Sequence, residues 1–138
     1  MTLDTTDKLA IHELLSKAAY AYDARDLSML EASFSESASF SMRIAGGDLI
    51  GPFQGREAII AMMAGAMDAQ TDVRRHVVSN LFFDEAAVDV TVISNLTLFA
   101  TENGDTKLLC AGVYRDAVVL EDGVWKVLGR HLELDAPH

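Results

Sequence analysis

From Val73 to Leu134 the chain alternates with a period of two almost without interruption, and this run constrains the fold more than any other feature. Its breaks are short and polar: Asp84-Glu85, Glu102-Asn103-Gly104-Asp105 and Glu121-Asp122-Gly123. The Asn-Gly pair is a hairpin signal. The pattern predicts long strands over Val73–Phe83, Ala87–Ala100, Lys107–Leu120 and Val124–Leu134, joined by hairpin-like turns. Strands in such succession pair antiparallel and curl as they twist. In the first, alternation puts Arg74, His76, Val78, Asn80 and Phe82 on one face. In the second, Val92, Ser94, Leu96 and Leu98 share a face and Asn95 takes the other. In the last, Arg130 shares a face with Lys126, Leu128 and Leu132.

The first half reads differently. Ile11, Leu15, Ala18 and Tyr22 recur at helical spacing behind a cap at Thr5 or Thr6, so a first helix should run to about Tyr22. Asp23 lies at its end. Asp26 is placed to cap a short second helix from Leu27 to about Ser33. Glu36–Ile44 is extended, and Gly46-Gly47 turns it into a short edge segment whose Pro52 cannot donate in a central ladder. After Gly55 comes a third helix with an apolar stripe of Ile59, Met62, Met63 and Met67. Such a stripe is core, or the roof of a pocket. The order predicts one α+β domain over residues 1–138, with a frayed tail at 135–138. Three helices against the concave face of a curved, mixed but mostly antiparallel sheet would leave a cone with a cavity.

Charge and composition narrow the partners. A net charge of −10 argues against nucleic acid and anionic membranes. The single cysteine, Cys110, rules out an internal disulfide scaffold. The N-terminus lacks a basic region followed by an apolar run, and no uncharged apolar run is long enough to span a bilayer. A cytoplasmic protein is the expectation.

His12, His76, His131 and His138 are scattered without metal-ligand spacing, so neither metal nor cofactor is expected. No phosphate-binding glycine loop or serine elbow occurs. What remains is acid–base chemistry, with histidine as the proton carrier near neutrality. His76 sits mid-strand on a face mixing polar and apolar groups. It is either a satisfied core histidine or a base in a pocket wall. Carboxylates on an apolar background are Asp23, Asp26, Asp89 and Asp116. Arg130, in an apolar strand, needs a carboxylate or an anionic ligand. Tyr20 and Tyr22 either donate a phenolic proton or pack.

The helix ending in YDARD, the segments GPFQGREAI and RRHVVSN, and the closing YRDAVVLEDGVWKVLGR together resemble the SnoaL-like branch of the NTF2-like, or cystatin-cone, superfamily. Scytalone dehydratase, bile-acid 7-alpha-dehydratase and hexachlorocyclohexane dehydrochlorinase are the members most similar in pattern. The resemblance implies a cofactor-independent lyase or isomerase, of dehydratase or cyclase type, acting on a hydrophobic cyclic molecule such as a polyketide or steroid. It implies that His76 is the general base, oriented by Asp23, with Tyr22 and Arg130 completing the catalytic set. Asn95 stands roughly where scytalone dehydratase carries a second histidine, so the full dehydratase set is not present. Candidate substrate contacts are Tyr20, Met63, Met67, Asn80, Asn95 and Tyr114. The superfamily also contains binding-only modules and small subunits of ring-hydroxylating dioxygenases, and its members commonly form homodimers or homotrimers.

Overall fold

The computed structural model describes residues 2–138. Helix α1 (Thr5–Asp23) is capped by Asp4, not by a threonine. Asp4 accepts the Asp7 backbone N–H at 2.8 Å, and the Asp7 carboxylate accepts the Asp4 N–H at 3.3 Å. Two otherwise orphaned donors are satisfied reciprocally, which a threonine one residue later could not do with the same partner. The chain leaves α1 through Arg25 at φ 57°, and Asp26 then caps α2 (Leu27–Ala32) by accepting the Met29 N–H at 3.0 Å.

Next come β1 (Phe34–Ile44), β2 (Ile50–Gln54), α3 (Arg56–Ala69), β3 (Val73–Phe83), β4 (Thr91–Glu102), β5 (Asp105–Glu121) and β6 (Val124–Leu134). β4 begins four residues later than its pattern predicts. Asp84 folds the preceding loop on itself: its carboxylate takes the Ala86 N–H and Arg115, and its own N–H donates to Thr91 O.

The strands form one sheet in the order β2-β1-β6-β5-β4-β3. β3 to β6 are the antiparallel meander, and β1 joins β6 in parallel, with β2 outside it on the edge where Pro52 costs no ladder bond. Three helices pack on the concave face of this mixed, mostly antiparallel sheet. The core lies between the layers: Ile11, Leu15 and Ala21 of α1, Ile59, Met63 and Met67 of α3, and Val92, Leu96, Val118 and Val127 from the strands.

Two bulges change which side chains face this core. In β3, Ser79 pairs with Asn95 but Phe82 with Ile93, so one extra residue is inserted, and Asn80 takes φ 55°. Before the bulge Arg74, His76 and Val78 point inward as predicted; after it Leu81 and Phe83 pack on the core, while Phe82 is 55% exposed. In β6, Ala117 pairs with Gly129 but Val118 with Val127. The extra residue, Leu128, breaks the parity, so Trp125 and Val127 are buried on the same side as Arg130, Leu132 and Leu134. The expectation that Arg130 shares a face with Lys126 and Leu128 is corrected accordingly.

Candidate active site

Asp23 is the last residue of α1, and the apolar stripe of that helix brings its end onto β3. Its carboxylate grips His76 at two points. Oδ2 accepts the His76 backbone N–H at 2.8 Å, and Oδ1 lies 2.6 Å from Nδ1. The side chains are 9% and 13% exposed. A carboxylate only accepts, so Nδ1 carries the hydrogen and the neutral ring keeps its lone pair on Nε2. Nε2 has no hydrogen-bond partner among the described residues, and His76 lines a cavity of about 190 Å³ between helices and sheet.

Tyr22 stands edge-on to the imidazole, with ring centroids 4.8 Å apart. Its hydroxyl accepts from Gln70 Nε2 at 2.9 Å, leaving its own hydrogen free. Burial pushes the phenol above its ordinary pKa, with the Gln70 bond and Arg74 opposing. Across the cavity, Arg130 makes a two-pronged ion pair with Asp116: Nε to Oδ1 at 2.7 Å and Nη2 to Oδ2 at 3.1 Å. Asp116 is wholly buried and Arg130 is 8% exposed. Burial alone would weaken the guanidinium's hold on its proton, but Asp116 and Tyr114 outweigh it and raise the pKa. The guanidinium lies 4.0 Å above the Tyr114 ring, and burial pushes that phenol to about 12. Arg74 also lines the cavity, its Nε held 3.0 Å from Asp72.

The structure thus brings His76, Tyr22, Arg130, Met63 and Tyr114 to one cavity, with Asp23 directly behind the imidazole. Four sequence-predicted contacts lie elsewhere. Tyr20 is 63% exposed on the far side of α1. Met67 is buried in the core, outside the cavity wall. Asn80 is exposed on the β3 bulge, whose positive φ it accommodates. Asn95 is exposed on the outer face of β4. Gln70 and His138 line the cavity although no sequence pattern marks them. Gln70 falls in a connection between elements, and His138 in the segment expected to fray. Met62, Phe40, Leu98 and Leu132 are part of the apolar wall. A second cavity of about 280 Å³, lined by Thr2, Lys8 and the loop from Phe83 to Thr91, has no comparable convergence of buried polar groups.

An open curved sheet closed by three helices around an apolar cavity defines the cystatin-like, NTF2-like fold. Residues 4–131 match the SnoaL-like domain, and the chain belongs to that family. No curated protein matches it significantly in sequence. Among solved structures it is similar to a Nostoc punctiforme protein of unknown function with a cystatin-like fold, at 23% identity and TM-score 0.80 over 98% of this chain and 96% of that one. It is also similar to Aln2 from a Streptomyces species, at 24% identity and TM-score 0.78 over 98% and 95%. LinA superposes with TM-score 0.76 at 22% identity over 96% and 90%. No helix among the described residues is long and apolar enough to cross a membrane.

Proposed function

We propose that the chain is a cofactor-independent lyase or isomerase in which His76 removes a proton from carbon. The observation that carries this reading is the double grip of Asp23 on His76, which fixes the ring orientation and leaves Nε2 open as a base. As Nε2 takes the proton the ring becomes a cation 2.6 Å from a carboxylate, in a poorly hydrated site where that attraction is strong. Tyr22 and Arg130 then face the charge that develops on the substrate oxygen or leaving group.

The substrate is hydrophobic, neutral, and bears a carbonyl or hydroxyl. Arg130 and Arg74 each have their own carboxylate, so no unpaired charge calls for an ionic ligand. The cavity, about 190 Å³, is smaller than the roughly 300–1,000 Å³ of sites for drug-sized ligands, which fits one ring or two fused rings.

A nitrobenzisoxazole tests the base directly. Removal of its ring proton opens it to a coloured cyanophenolate, and it is small and flat enough for the cavity. Wild type should accelerate opening over free imidazole, and His76→Ala should lower the rate by about 10²-fold or more. Equal rates in the two proteins would remove His76 as the base. For assembly, Val77, Phe82 and Val113 stay exposed on the outer sheet face. We expect this face to join copies into a dimer or trimer, and a monomer by sedimentation at micromolar concentration would refute that.

A further inference from the structure

Eliminating water from a hydroxyketone moves two protons. One leaves carbon, and another must reach the departing oxygen, because hydroxide is a poor leaving group. His76 accounts for the first. The second carrier must face the same cavity and exchange a proton near neutrality. Burial holds the Tyr114 phenol to about 12 and raises that of Tyr22. Arg130 is locked on Asp116 and Arg74 on Asp72, and a guanidinium does not give up its proton in any case. The Gln70 amide does not titrate. Among the described residues that line the cavity, His138 remains.

The Asp135 N–H donates to Ala111 O on β5 at 2.9 Å, and His138, exposed three residues later, lines the cavity from the tail. We propose that His138 is the second proton carrier, protonating the leaving oxygen while His76 takes the proton from carbon. This rests on the reading of His76 as the base. The C–H electron pair becomes the new C=C bond, the C–O bond breaks with its electrons, and the oxygen leaves as water. His138 ends neutral and His76 protonated, and exchange with solvent resets both.

The groups facing His138 suit this role. Partial desolvation, then the charge of Arg74, lower its proton affinity, and Asp72 works against them. Its charged form is therefore a stronger acid than an ordinary imidazolium. The reactive state needs His76 neutral and His138 protonated, so dehydration must slow on the alkaline side.

The test compares two probes, a β-hydroxycyclohexanone, which needs its leaving group protonated, and the nitrobenzisoxazole, whose phenolate leaves unaided. His138→Gln should lower kcat for dehydration about 10²-fold, with KM changed far less, and should abolish the alkaline decline. It should slow benzisoxazole opening by a much smaller factor. Equal losses on both probes would reduce His138 to a shape element and overturn the proposal. So would retention of full dehydration, or a wild type that opens benzisoxazole through His76 yet dehydrates nothing. Failure of the His76 reading is separate: His76→Ala would then leave both reactions intact.

Discussion

Removing the Asp116 carboxylate should be the most damaging single change to this fold. Asp116 has no exposed surface, and Arg130 is 8% exposed. Their two hydrogen bonds satisfy both carboxylate oxygens and two guanidinium nitrogens. Asp116→Ala leaves a desolvated cation with a ring beneath it and no counter-charge. Breaking a buried pair in this way costs about 3–5 kcal/mol. For a chain of 138 residues, that loss corresponds to a fall in Tm of roughly 10–20 °C. The cost arises from the orphaned charge and not from the pair's own net worth. Asp116→Leu with Arg130→Met, which keeps an apolar side chain over Tyr114, should therefore recover most of the stability. Urea unfolding of wild type, Asp116→Ala and the double variant measures both effects. A loss below about 1 kcal/mol for Asp116→Ala would refute the reasoning, as would a double variant no more stable than the single one.

Three further changes probe other parts of the argument. Asp23→Asn can keep the bond from the His76 backbone N–H, but its amide then donates to Nδ1 and forces the hydrogen onto Nε2. Benzisoxazole opening should fall by about 10²-fold with little change in melting temperature; retained activity would exclude the tautomer argument. Tyr114 ionises at about 12 in the folded chain against 10.0 ordinarily. Between those values the unfolded chain loses a proton that the folded chain keeps, so stability falls as pH rises, by about 2–3 kcal/mol in full. Tyr114→Phe should show a shallower alkaline decline in urea titrations, and identical slopes would contradict the assignment. Gly112→Ala would drive a Cβ into Glu133 O, on backbone that cannot swing aside, and should destabilise by about 1–3 kcal/mol in the same assay; an unchanged midpoint would show that the two strands can part there.

The helices, the strand order within the meander and the edge position of Pro52 follow from periodicity and turn chemistry, because each is decided by neighbours in the chain. So does the placing of Asp26 as a cap. Faces are another matter. A period of two assigns sides only while the ladder has no extra residue. The β3 bulge at Asn80 falls four residues after His76, so the alternation that places His76 inward holds, but its extension to Asn80 and Phe82 does not. The β6 bulge lies between Val127 and Arg130, so Arg130 ends on the side opposite to the one its neighbours imply. Asn80 in a β-branched and aromatic strand is a usable sign, since asparagine tolerates positive φ far better than its neighbours. No such sign marks Leu128, whose bulge is read only from the pairing of β5 with β6.

Pairings across long separations are harder still. Asp23 and His76 are 53 residues apart, and what joins them is the packing of an apolar helix stripe on the sheet. The resemblance to a family supplies that pairing; helical spacing by itself says only that the end of α1 meets the sheet. Arg130 announces its need for a counter-charge by its apolar setting, yet Asp116 and three other carboxylates fit equally well until register fixes the partner. His138 gives no local signal at all, because neither helix nor strand periodicity extends past Leu134. It lines the cavity three residues after Asp135, whose N–H donates to Ala111 O on β5. Local pattern thus reaches the walls and the inward side of His76, whereas register sets Asp116 against Arg130 and the tail brings His138 to the cavity.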